Sequence, residues 1–115
     1  MAASTIDIAT FRQLQEAAGA DFVDELVDTF LEEAPAMLRE LQGALAAREA
    51  GKFRRAAHSL KSNGNTFGAL GLGAMARELE LAGLAGVLEK GADPLATLMS
   101  EYSRVAAALA ELRHA

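Results

Sequence analysis

The chain has 115 residues, no cysteine and 51% hydrophobic residues, which suits one domain with one core and excludes disulfides, thiol catalysis and thiolate metal sites. Its net charge of −5 argues against a general nucleic-acid binder, and no apolar run reaches the roughly 18 residues of a membrane span. Only 5% of residues are aromatic, while the helix formers Ala and Leu dominate, so the expected class is all-α.

The start, Met1-Ala2-Ala3-Ser4-Thr5, lacks the parts of a signal peptide, and a cysteine-free chain fits a reducing compartment; a cytoplasmic location is expected. A short helix is predicted over about 7–18, ending at Gly19. Asp21 reads as the N-cap of a long helix over about 21–50. Its predicted inward stripe is Phe22, Leu26, Phe30, Ala34, Met37, Leu41 and Leu45, with Asp24, Asp28 and Glu32 on a solvated face. Pro35 removes a backbone donor and is expected to kink or divide this helix, and Gly51 reads as the residue that closes it.

A third helix is predicted over about 52–67, burying Phe53, Ala56, Ala57, Leu60, Gly64 and Phe67. A fourth runs over about 70–86 with Leu72, Met75, Leu79 and Ala82 inward, and Gly83, Gly86 and Gly91 are its candidate stops. Asp93-Pro94 is a start signal for a last helix over about 93–113, with Leu95, Leu98, Tyr102, Val105, Leu109 and Leu112 at bundle-seam spacing. Four amphipathic helices with short connections predict an antiparallel, up-down-up-down four-helix bundle over 1–115, with the first helix as a cap. A monomer is the simplest expectation.

His58 is one of two histidines in the chain. On a helix it shares its face with Arg54, Arg55, Lys61, Ser62 and Asn65, at the rim of the apolar stripe. That is a basic, low-bulk patch on an acidic protein, suited to a phosphoryl group or to an acidic partner carrying one. An imidazole that handles phosphate needs one free ring nitrogen, an acceptor fixing the other, a nearby cation and room for a partner. Lys61 can be the cation, and Ser62, Asn63 and Gly64 leave room; the acceptor must come from another helix. Taken alone, a helical histidine is more often structural or simply exposed, and Arg54 and Arg55 serve solubility as readily as binding.

Residues 57–80 resemble the signature of histidine-containing phosphotransfer (HPt) domains: His58, Lys61, Ser62, the pair Gly68-Ala69, and Leu79-Glu80. The resemblance implies a phosphorelay intermediate. His58 would accept a phosphoryl group through Nε2, from a receiver-domain aspartate or a histidine or hybrid kinase, and pass it to another receiver aspartate. Lys61 would offset the phosphate charge, and Glu80 would bond the other ring nitrogen and orient it. Ser62, where many members have glycine, is still small. No cofactor or autonomous kinase activity is implied, since Mg²⁺ belongs to the partner receiver. Arg54, Arg55, Asn65 and Arg77 are candidate partner contacts, and Arg77 could instead pair with Glu80. The alternative is a helical interaction module in which His58 is never phosphorylated; a degenerate module would be free to lose the His58, Lys61 and Glu80 set.

Two other patterns carry less. Glu111 and His114 form a single Glu-x-x-His, whereas a di-iron bundle needs two such motifs and two more carboxylates. Gly71-Leu72-Gly73-Ala74-Met75-Ala76 matches a relaxed dinucleotide fingerprint, but no strand precedes it, and its glycines read better as a helix turn and close helix packing.

Overall fold

The computed structural model describes residues 5–91 and 93–113, all in helices or short connections, with no strand among them. The helices are α1 (Ile8–Ala18), α2 (Ala20–Ala47), α3 (Ala50–Thr66), α4 (Leu70–Lys90) and α5 (Asp93–Leu112). Consecutive helices pack on one another, α5 returns against α2, and α1 lies on α2 and α3. The core holds Phe11, Val27, Leu41, Phe53, Leu60, Leu72, Leu98 and Leu109, each essentially without solvent contact. Burying each such side chain stabilises by about 1.5–3 kcal/mol. Phe30 joins three elements, with ring centroids 5.4 Å from Phe67 and 6.0 Å from Tyr102.

Asp7 caps α1: its carboxylate accepts from the Thr10 amide and hydroxyl. The helix ends at Gly19, which also takes the cap position of α2. Asp21 is therefore in the first turn of α2 and not its N-cap, where its charge still suits the helix dipole. The inward stripe of α2 is also rotated from the expected one. Val23, Val27, Phe30, Ala34, Leu38, Leu41 and Ala44 are buried, while Phe22 is 51% exposed. Both Phe22-Leu26 and Val23-Val27 offer an apolar pair four residues apart, and tertiary packing selects the second.

The rotation carries Asp24 into the buried set, and Asp28 is half-buried with the Arg113 guanidinium on both its oxygens, at 2.5 and 2.7 Å. The solvated face expected at Asp24 and Asp28 is thus in part a clasp between α2 and the end of α5. Pro35 does not divide α2, which runs through to Ala47 with Ala34 and Leu38 buried on either side. Gly51 does not close the helix either. Arg48 does so in the left-handed region (φ 59°), with Glu49 N–H on the Ala44 carbonyl at 2.8 Å, and Gly51 falls in the first turn of α3.

The stripe of α3 lies where the sequence places it, with Phe53, Ala56, Ala57, Leu60 and Gly64 buried and Phe67 following. In α4, Leu72 and Leu79 are buried, but Ala82 is exposed. Gly83 is non-helical (φ 70°, ψ 178°), so α4 is two helical segments joined there, and the chain continues past the expected end at 86 to Lys90. A groove of about 290 Å³ opens beside this break, lined by Met75, Leu79, Ala82, Val87, Pro94 and Thr97. Helix α5 begins at Asp93-Pro94; the Asp93 side chain, and so its capping role, lies outside the described residues, as does His114.

Candidate functional site

The candidate site is built on the α3–α4 hairpin, whose tight turn fixes the relation of the two helices. Gly68 N–H bonds the Asn65 carbonyl at 3.1 Å, and Ala69 N–H bonds the Gly64 carbonyl at 2.8 Å. Gly68 has φ +86°, a left-handed conformation that side chains rarely adopt. Its carbonyl also accepts from the Asp7 amide at 2.8 Å, so the start of α1 is pinned to this turn. A Cβ on Gly68 would stand 2.7 Å from the Asp7 carbonyl oxygen. The Gly68-Ala69 pair is therefore a backbone requirement: Gly68 makes the turn, and Ala69 is fully buried under it.

Above the turn the helices stay close. A Cβ on Gly64 would reach the Ala69 oxygen at 3.4 Å and the Gly73 nitrogen at 3.5 Å. The Asn65 amide occupies the place a side chain at Gly73 would need. Asn65 thus covers α4 with its amide while the residue as a whole remains exposed. Gly71-Leu72-Gly73 opens a helix from a helix–helix turn, with no strand before it, and Gly73 serves close packing.

Two turns above Gly73, Glu80 projects from α4 toward α3. Its Oε2 lies 2.9 Å from His58 Nδ1, and its Oε1 accepts from Lys61 Nζ at 2.7 Å. The Lys61 hydrogen bond holds the Glu80 carboxyl below the usual carboxylate range; partial desolvation opposes this, and the His58 hydrogen bond adds to it. An ionised carboxylate only accepts, so Nδ1 carries the hydrogen and a neutral ring keeps its lone pair on Nε2. The His58 side chain is 57% exposed, against 20% for Glu80 and 23% for Lys61. The ring reaches solvent while the groups that hold it are mostly covered.

Arg54, Arg55 and Ser62 are exposed along α3, as the face count predicts. Arg77 is also exposed, and Glu80 is bonded by His58 and Lys61 and not by Arg77. The geometry brings His58, Lys61 and Glu80 together, while the Arg55 guanidinium reaches back along α3 toward Gly51. It also adds partners that the sequence does not name: Gly73 packs under Asn65, and the Asp7 amide bonds the Gly68 carbonyl. Among the described residues no group of His, Asp and Glu could hold a metal ion, and no helix is long and apolar enough to cross a membrane.

Comparison with known proteins agrees on one family. No curated protein matches the chain. Among solved structures, the crystal structure of histidine-containing phosphotransfer protein B (HptB) from Pseudomonas aeruginosa PAO1 superposes with a TM-score of 0.88 at 29% identity, covering 97% of this chain and 96% of that one. The family model described as Hpt domain matches residues 25–115, which include the hairpin, its turn and the His58–Glu80–Lys61 cluster, and the chain belongs to the Hpt domain family.

Proposed function

We propose that this protein is a phosphorelay intermediate that carries a phosphoryl group on His58 Nε2. The observation that carries the reading is the 2.9 Å contact between His58 Nδ1 and Glu80, which leaves Nε2 as the free nitrogen of a side chain that is more than half exposed. Family membership supports phosphotransfer within two-component relays. In the forward step the Nε2 lone pair attacks phosphorus in line, the P–O bond to the donor aspartate breaks, and the aspartate leaves as a carboxylate with the electron pair. The Nδ1 proton stays on the ring, where Glu80 compensates the imidazolium charge. The return step to a second aspartate is the reverse.

The partner's acidic pocket supplies Mg²⁺, and this chain supplies position. Arg54, Arg55 and Arg77, with small Ser62 beside the ring, are the proposed contacts for that pocket, since opposite charge speeds and orients encounter. Asn65 is proposed to border the contact from the α3–α4 seam. The same reading takes α2–α5 as an up-down-up-down antiparallel bundle capped by α1, supported by short connections between helices that pack on their chain neighbours. A cytoplasmic monomer is its simplest form.

The test is labelling by a phosphorylated receiver domain. The wild type is expected to gain an acid-labile, alkali-stable label that His58→Gln lacks entirely. A wild type that takes no label from any receiver or from phosphoramidate would leave the docking-module reading in its place.

A further inference from the structure

The resemblance assigns Lys61 to the phosphate charge, yet in the folded chain its ammonium is engaged elsewhere. It donates to Glu80 Oε1 at 2.7 Å, while the other Glu80 oxygen meets His58 Nδ1 at 2.9 Å. The carboxylate therefore takes one donor on each oxygen, the ring on one and the ammonium on the other. Lys61 thus bonds the group that holds Nδ1, the ring nitrogen that is not left free to react. Exposure follows the same division, 57% for the His58 side chain and 23% for Lys61.

We infer that Lys61 is a positioning residue that acts on His58 through Glu80. A glutamate has three side-chain torsions, and a single hydrogen bond to an exposed ring leaves its carboxylate free to rotate. A second donor on the other oxygen fixes the carboxylate plane. Because Lys61 and His58 lie three residues apart on α3, both donors come from one rigid helical face. Lys61 thus sets the orientation of the acceptor, and the acceptor sets the ring tautomer, before any phosphate arrives. The Lys61 hydrogen bond is also the largest cause of the lowered Glu80 pKa, which keeps the carboxylate ionised and accepting.

The inference rests on the phosphotransfer reading for its kinetic consequence, whereas its geometric content can be tested on unphosphorylated protein. The experiment records the ring ¹⁵N shifts of His58 in wild type, Lys61→Met, Lys61→Arg and Glu80→Ala. The wild type is expected to show the Nδ1–H pattern. Lys61→Met and Glu80→Ala are expected to move toward an average of both tautomers, and Lys61→Arg to stay near wild type. A Lys61→Met ring pattern identical to wild type overturns the inference, since a residue that meets only phosphate leaves the resting ring unchanged.

A second readout uses phosphoramidate, whose P–N bond breaks to release ammonia as Nε2–P forms. Lys61→Met is expected to label about tenfold more slowly, the loss typical of a partner one shell removed from the reacting atom. Failure of the wild type itself to label sinks the phosphotransfer reading while the ring shifts still decide the role of Lys61.

Discussion

From Leu70 to Glu80, α4 lies close against α3, with Gly73 under the Asn65 amide and Glu80 between His58 and Lys61. Around and beyond Gly83 the same helix breaks, borders a groove of about 290 Å³, and leaves Leu81 69% and Leu88 37% exposed. The difference lies in what each half must hold in place. Reactive groups have to be kept within about 0.5 Å of a working geometry, and close helix packing does that. Glu80 is three residues before the break, so the tight half ends just after the last group the site needs.

The contrast can be broken most severely at the turn. Gly68→Ala places a side chain in the left-handed region and against the Asp7 carbonyl, and should destabilise by about 3 kcal/mol, combining conformational strain with a steric clash. Urea denaturation measures the loss, and labelling of His58 should fall with it because the hairpin is displaced. Gly83→Ala tests the other half. Its φ of +70° is equally unsuited to alanine, but nothing lies within 4 Å, so the loss should be about 1–2 kcal/mol of strain alone. His58 labelling by phosphoramidate should be unchanged, and a parallel loss of labelling would show that the two halves are coupled.

The smallest expected effect is electrostatic. Glu80 is held below its ordinary value of 4.5, so its pairing stabilises the fold fully above that pH. The contribution is lost as pH falls from 4.5 through the lowered folded-state value. Glu80→Gln should therefore differ from wild type in urea midpoint near neutral pH, and the two should converge in acid. A difference that persists unchanged below that window would assign the effect to packing.

How far the sequence could be read divides along similar lines. The α3 stripe was legible because its apolar residues recur on one side only, from Phe53 to Phe67, with charged or polar residues opposite. The spacing of His58, Lys61 and Glu80 was legible as a family pattern, but the bond from Lys61 to Glu80 was not, since linear spacing across a turn does not say which oxygen meets which donor. In α2 the apolar residues near Phe22 and Val23 support two stripes, and only packing against the other helices chooses between them. Asp24 and Asp28 misled for a related reason: their partner Arg113 is at the far end of the chain, and a charge with a distant partner looks like a solvated one. The stop at Arg48 carried no signal because left-handed closure by a non-glycine is uncommon, and Gly51 nearby was the better candidate on propensity.

The position of the site within a single hairpin also bears on how the chain reaches its fold. His58 and Glu80 are 22 residues apart in sequence, whereas the Asp28–Arg113 clasp joins residues 85 apart. Loop-closure entropy grows with the logarithm of length, so the longer loop costs about 1 kcal/mol more to close. The reactive cluster is thus a local structure, available as soon as residues 50–80 have paired, and the clasp with α5 completes a core around a hairpin whose geometry its own turn has set.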